Sequence, residues 1–177
     1  DIKVQDVDGN GVITTDDRII YSQRPDVTFG FNNTFNYKGF DLSVFLYARL
    51  GQWIAYDYNT TYRINALENG GNVDYWTPEN PTNAFPCPNK SKSYTQVTYY
   101  STLKYEDGSF FKIRDITLGY TFKPELLKHL NLSKLRVYAT AKNFFTFSKI
   151  DNYDPEQGGS ISFPMTKQLV FGLNVEF

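Results

Sequence analysis

The sequence VTFGFNNTFNYKGFDLSVFLYARL, residues 27–50, decides the fold class of this chain. Apolar and aromatic residues take every second position on both sides of the dipeptide Lys38-Gly39, and Asn33 is the one polar interruption. A period of two is typical of β-strands with one apolar and one polar face. The segment therefore predicts two long antiparallel strands joined by a hairpin turn at Tyr37–Gly39.

The same alternation returns three times in the second half of the chain. With the first two strands it predicts an all-β, antiparallel sheet whose five strands lie at about 27–38, 40–50, 110–122, 134–147 and 168–177. In the connector at 123–133, Pro124 suits the first turn of a short helix that ends near Leu127. The predicted strands are thus connected by loops, one of which contains a helical turn.

The connections between these strands are very unequal in length. The short links 37–39 and 123–133 fall at one end of the sheet, and the long segments 1–26, 51–109 and 149–167 fall at the other. Outer-membrane β-barrels pair short periplasmic turns with long extracellular loops, and their strands run about 10 residues with apolar side chains outward. We therefore predict a transmembrane β-barrel segment with a periplasmic C-terminus, in which 1–26, 51–109 and 149–167 are extracellular loops. A soluble β-sandwich alternates in the same way, so it remains the alternative at this point.

The polar faces of the predicted strands carry charged residues. In a barrel these side chains would line a watery lumen, because alternate residues point to opposite sides of the wall. The predicted lumen-facing residues are Asp41, Arg49, Asp115, Arg136, Lys142 and Glu176.

The segment DVDGNGVITTDD, residues 6–17, has the spacing of a 12-residue calcium loop. Its candidate ligands stand at positions 1, 3, 5, 7, 9 and 12 of the loop: Asp6, Asp8, Asn10, Val12 through its carbonyl, Thr14 and Asp17. Gly11 falls at position 6, where the loop needs a sharp turn. We predict a structural Ca²⁺ site in the segment 1–26. The alternative is an ion-free turn, since Asp, Asn and Gly favour turns anyway.

Aromatic residues are frequent in the predicted loop 51–109. Such rings, among polar neighbours, suit stacking on sugars or docking of a partner protein, and the alternative is that they pack the loop onto itself. The candidate contact residues are Trp53, Tyr56, Tyr58, Trp76, Tyr99 and Tyr100.

Composition excludes several other classes of function. The 18 Lys and Arg residues balance 19 Asp and Glu residues, so no net positive charge attracts nucleic acid. Cys87 is the single cysteine and His129 the single histidine, so thiolate and histidine metal clusters are excluded. No set of carboxylates has the spacing of an acid–base pair, and we predict no enzymatic activity.

Several sequence blocks, taken together, resemble one protein family. They are DVDGNG at 6–11, YKGFDLS at 37–43, WTPENP at 76–81, DGSFFKIR at 107–114, NFFTF at 143–147 and FGLNVEF at 171–177. In these blocks, which follow one another along the whole chain, the sequence resembles the C-terminal end of the SusC/RagA-like TonB-dependent outer-membrane transporters.

The resemblance implies more than the periodicity does. Such transporters form a 22-stranded barrel around an N-terminal plug, so this chain would supply the last five strands and contact outer-membrane lipid. The family pairs with a SusD-like surface lipoprotein, takes energy from TonB through an N-terminal part absent here, and imports oligosaccharides or peptides. The alternative reading is a soluble secreted carbohydrate-binding or adhesive β-domain with a structural calcium site.

Overall fold

The computed structural model describes residues 2, 4–61, 71–91 and 100–177. None of the helices in these ranges is long or apolar enough to cross a membrane. The strands and helices are β1 (Val27–Tyr37), β2 (Phe40–Leu50), β3 (Trp53–Ala55), α1 (Asp57–Thr60), β4 (Tyr105–Asp107), β5 (Phe110–Thr121), α2 (Pro124–Leu127), β6 (Lys134–Ser148) and β7 (Gln168–Glu176). Short 3-10 helices lie at Thr15–Asp17, Tyr100–Lys104, Lys128–Leu130 and Pro155–Gln157.

Five long strands form one sheet in the order β1-β2-β5-β6-β7, and every neighbouring pair is antiparallel. Each strand begins and ends within one residue of its predicted bounds, and α2 occupies the predicted helical turn. The predicted all-β antiparallel fold class is therefore confirmed. The sequence did not predict β3 and β4, which pair with each other in a separate two-stranded ribbon.

The hairpin between β1 and β2 fixes the register of the sheet. Lys38 and Gly39 both have positive φ, 48° and 91°, as a two-residue type I′ turn requires. Tyr37 therefore pairs with Phe40, and the pairing runs without a break to Val27 opposite Leu50. A slip by one residue would move every apolar side chain of β1 to the polar face.

The apolar face of the sheet is open over most of its area. Phe171 is 78% exposed and Leu173 is 69% exposed. Among the described residues, the only other sheet is the ribbon of β3 and β4, which has three residues in each strand. A soluble sandwich would cover such a face with a second layer, so that alternative does not fit, whereas lipid tails would cover it in a barrel wall.

A cluster of buried apolar residues lies at the long-loop end of the sheet. Ile54, Tyr56 and Ile150 are buried together, and Tyr58 and Tyr153 pack against them. This cluster joins the ribbon of β3 and β4 to the loop that follows β6. Hydrophobic burial therefore holds the loops to one another.

An ion pair crosses the middle strand of the sheet at Gly119. Asp41 on β2 and Arg136 on β6 lie on either side of β5, and the Nε of Arg136 donates to Asp41 at 2.9 Å while its Nη2 donates to the second carboxylate oxygen. A Cβ at position 119 would lie 2.5 Å from atoms of both side chains. The missing side chain of Gly119 thus leaves room for a two-pronged ion pair over β5.

We expect Gly119→Ala to separate this ion pair and destabilise the barrel by about 1–2 kcal/mol, since a charge-assisted hydrogen bond is lost. The measurement is the unfolding temperature of the full-length barrel, followed by heat-dependent migration on gels. Gly30→Ala is the matched control, because a Cβ there meets only the ring of Phe45 at an ordinary 3.6 Å. An additive loss in the double variant Gly119→Ala with Asp41→Asn would contradict this explanation, because the pair can be removed only once.

We also expect the isolated segment 1–177 to aggregate or stay unfolded in detergent-free buffer. The sheet has unpaired edges at β1 and β7 and an exposed apolar face, and both features drive association of chains. Size-exclusion chromatography with circular dichroism tests this. A monodisperse, β-rich species without detergent would show that the reasoning is wrong.

Candidate functional site

Three carboxylates of the predicted calcium loop lie close together. One oxygen each from Asp6, Asp8 and Asp17 falls within 4.8 Å of the other two. Asp17 is buried, although it is the last residue of the exposed loop. Hard oxygen ligands at such spacing are what Ca²⁺ requires, so the donor set fits a divalent cation.

Backbone hydrogen bonds hold this loop in shape. The carboxylate of Asp17 accepts from the N–H groups of Val7 and Thr14 at 2.8 and 2.7 Å, and that of Asp6 accepts from Gly11 at 2.8 Å. Gly11 has a φ of 81°, as a sharp turn at this position needs. The bonds from Thr14 and Val7 hold the pKa of Asp17 below its usual range. Because the pKa is lowered on folding, this carboxylate stabilises the loop at neutral pH and ceases to do so as acid protonates it.

The other predicted ligands are partly engaged within the loop itself. The side-chain amide of Asn10 donates to Asp8 at 2.7 Å, and its oxygen accepts from the N–H of Val12 at 2.8 Å. The hydroxyl of Thr14 accepts from the N–H of Asp16 at 3.2 Å and so caps the 3-10 helix at Thr15–Asp17. This helix has three residues, so it does not reproduce the long helix that follows an EF-hand loop.

All six residues predicted to face the lumen lie on the polar face of the sheet. Four of them form two cross-strand ion pairs, Asp41 with Arg136 and Asp115 with Lys142, the latter at 3.6 Å. Glu176 pairs with Lys134 at 3.2 Å. Arg49 is the exception, since its Nε donates to the hydroxyl of Tyr47 at 2.8 Å and it makes no ion pair within the described ranges.

The most buried charge of the described chain is one that the sequence did not single out. Lys112 on β5 is fully buried, and its ammonium group donates to Asp154 at 2.6 Å and to Glu156 at 2.7 Å. Removing one partner of such a buried pair is strongly destabilising, because it leaves an uncompensated charge. Asp154 and Glu156 belong to the loop that follows β6, so this cluster fastens that loop to the strand wall.

A β-bulge brings a second cation to the same place. In β5, Ile113 and Asp115 have partners in both neighbouring strands, and Arg114 between them has none. The Nη1 of Arg114 lies 3.1 Å from the Oε1 of Glu156, and Asp115 forms an ion pair with Lys142. A bulge of this kind re-aims a side chain, and no pattern in the sequence revealed it.

The predicted aromatic contact residues have different surroundings. Tyr56 is buried, with 5% exposed, and burial raises the pKa of its hydroxyl. Trp53 stacks on Tyr21 with ring centroids 4.1 Å apart, and Tyr58 packs on Tyr56 and Tyr153. Trp76 is 42% exposed. Tyr99 lies outside the described residues, and of Tyr100 the structure gives only its place at the start of a 3-10 helix.

Trp76 is presented by a loop of fixed shape. Its N–H donates to the carbonyl of Phe85 at 3.0 Å. Asp74 accepts from the amide of Asn80 at 2.8 Å and from the hydroxyl of Thr82 at 2.6 Å. The Thr82 and Asn80 bonds lower the pKa of Asp74. Because these bonds tie both sides of the loop together, the backbone that carries Trp76 is held in place at the surface.

Comparisons with known proteins agree on one class of protein. The chain is 31% identical over 97% of its length to TonB-dependent receptor P3 of Formosa agariphila, and 30% identical over 99% to TonB-dependent receptor P26 of the same organism. It is 31% identical over 97% of its length to TonB-dependent receptor SusC of Bacteroides thetaiotaomicron. It spans 17–19% of the length of these relatives. No protein-family model matches the chain.

Solved structures give the same result. The RagAB peptide importer in the closed-closed state matches 99% of this chain with a TM-score of 0.74 and 28% identity, over 21% of that chain. The structure of the RagAB peptide transporter matches 90% with a TM-score of 0.73 and the same identity, over 18% of that chain. These relatives are receptors and transporters, which confirms the prediction that the chain is not an enzyme. Over almost its whole length the chain is therefore similar to one segment of the SusC/RagA-like TonB-dependent receptors, and its fold matches that part of their β-barrel.

Proposed function

We propose that this chain forms barrel wall and outer loops of a TonB-dependent importer that takes up oligosaccharides or peptides. The observation that carries the proposal is the two-sided sheet, with exposed apolar side chains on one face and paired charges on the other. One face suits lipid and the other suits a watery path, as in large outer-membrane barrels. In this arrangement β7 ends on the periplasmic side, and TonB acts through a part of the protein outside this chain.

The class of cargo is supported by the relatives and by the loops. Two solved neighbours are the RagAB peptide transporter and importer, so peptides are represented in the group, and the resemblance to the SusC/RagA-like family implies oligosaccharides as well. We propose glycans first. Exposed aromatic residues other than Trp76 stand at the long-loop end, among them Tyr21 and Tyr105, and flat rings suit the apolar faces of sugars.

We propose that a SusD-like surface lipoprotein docks on the outer loops. Trp76 is the best candidate anchor, because it is exposed on a loop whose shape is fixed by Asp74. Large aromatic residues in such positions are frequent hot spots of protein interfaces. Trp53, Tyr56 and Tyr58 then serve mainly to pack the loops that present it.

The test uses the full-length importer extracted from its native membrane in detergent. We expect a SusD-like lipoprotein to copurify, and Trp76→Ala to reduce the recovered lipoprotein several-fold because an aromatic anchor is lost. Leu126→Ala is the matched control, since Leu126 is 60% exposed but lies on α2 at the opposite end of the sheet. Copurification of no lipoprotein at all would overturn the partnership, and equal recovery from Trp76→Ala would overturn only the contact.

We also propose that the loop 6–17 binds a structural Ca²⁺. The support is the convergence of Asp6, Asp8 and Asp17, together with the positive φ of Gly11. The ion would offset the repulsion of three carboxylates and so stiffen the segment before β1. It would take no part in moving cargo.

The calcium proposal is tested by limited proteolysis of the full-length protein with and without chelator. We expect Ca²⁺ to slow cleavage in residues 1–26 and Asp17→Asn to abolish that protection, because one ligand charge is removed. Asp16→Asn is the matched control, since Asp16 neighbours Asp17 but is exposed and stands outside the carboxylate cluster. The proposal would be contradicted if Ca²⁺ protected neither the wild type nor Asp16→Asn from cleavage. It would also be contradicted if Asp17→Asn and Asp16→Asn lost the protection equally.

A further inference from the structure

Two guanidinium groups flank one tyrosine on the polar face near the long-loop end. The Cζ of Arg49 lies 5.5 Å from the ring centroid of Tyr47, and the Cζ of Arg114 lies 5.4 Å from it. Both distances fall within the range of cation–π attraction. The tyrosine therefore holds two positive charges on the same patch of wall.

Arg49 is held at its Nε, and the described part of the chain offers no partner to its other nitrogens. Its Nε donates to the hydroxyl of Tyr47, which orients the planar guanidinium group. Its two terminal nitrogens have no hydrogen-bond or ion-pair partner among the residues that the structure describes. When the Nε of a guanidinium group is held and its two terminal nitrogens are unoccupied, those two nitrogens can together bind a carboxylate.

The charges around this patch are otherwise matched. Lys112 and Arg114 are paired with Asp154 and Glu156 in the cluster that fastens the loop after β6. Asp26 lies on the same face near the end of β2, where its carboxylate packs against Gly51. It makes no ion pair with Arg49 within 4.0 Å, so Arg49 is left as the cation without a carboxylate partner in the described part of the wall.

The position of the patch decides what could reach it. Arg49 is the last residue but one of β2, and the cluster of Lys112 contains the loop that follows β6. Both lie at the long-loop end of the strands, on the face assigned to the transport path. A solute entering from outside would pass this patch early in its passage.

We propose that Arg49, oriented by Tyr47, forms a carboxylate-binding subsite on the wall of the transport path. This inference rests on the proposed import function. The shared chemistry of its ligands is the carboxylate, which an acidic glycan carries on uronic acid residues and an acidic peptide carries on side chains and its C-terminus. The subsite would favour such solutes over neutral ones of the same size.

The experiment measures binding by calorimetry to the full-length complex with its lipoprotein. The glycan probes are hexagalacturonate and its methyl ester, and the peptide probes are an Asp-containing peptide and its Asn counterpart with an amidated C-terminus. We expect one of the two carboxylate probes to bind at least about tenfold more tightly than its neutral form, and Arg49→Gln to remove that preference, a change of about 1.4 kcal/mol. The probe that shows the preference identifies the source of the carboxylate.

Two further variants test the shape and the position of the positive charge. Arg49→Lys keeps the positive charge without the fork, so we expect it to retain part of the preference. Lys134→Gln removes one positive charge from the same face at the opposite end of the sheet, so we expect the preference to be unchanged. Heat-dependent gel migration of each variant reports whether the barrel is folded.

The outcomes that overturn the subsite differ from those that overturn import. Equal binding of acidic and neutral probes to wild type, or an equal loss of both in a folded Arg49→Gln variant, would overturn the subsite and leave import standing. Absence of binding and uptake for every glycan and peptide probe would overturn both the proposed function and the subsite that rests on it.

Discussion

The structure depends on the register that the turn at Lys38-Gly39 imposes on β1 and β2. Two successive residues with positive φ close the hairpin in the shortest way, and the strands then pair residue by residue over their full length. Because side chains alternate across a strand, this register decides that Asp41 faces the same side as Arg136 and that Phe40 faces the opposite side. Every later feature of the wall, from the ion pairs to the open apolar face, follows from that division.

The two faces of the sheet are stabilised by different forces. In the proposed barrel wall, one face would be stabilised by lipid, which would cover aromatic and aliphatic side chains without the need for precise packing. On the other face charges pair across strands, and the pair of Asp41 and Arg136 even reaches over β5 at Gly119. Such a pair ties three strands together instead of two. A wall built in this way keeps polar contacts away from lipid and apolar contacts away from water.

The sequence predicted the strands well because their signal is local. Alternation along 27–50 and 168–177 can be read residue by residue, and the ends of β2 and β7 were placed to within one residue. The polar-face residues followed from the same alternation, and the spacing of Asp6, Asp8 and Asp17 predicted that they would converge. The ribbon of β3 and β4 was missed, since its strands have three residues each and meet across 50 residues of chain. Lys112 and Arg114 were missed because their importance comes from a bulge and from carboxylates about 40 residues away.

Burial of Lys112 has a consequence for how the mouth of such a pore can change shape. A fully enclosed ammonium group that is shared by two carboxylates ties the loop after β6 to its strand, so this loop forms a fastened rim. In the proposed importer, a rim fastened in this way would resist swinging aside, since such a movement would separate Lys112 from both carboxylates. Opening and closing of the proposed entrance would then fall to elements that meet the rim from above or from within, and this part of the wall would be the fixed surface against which they close.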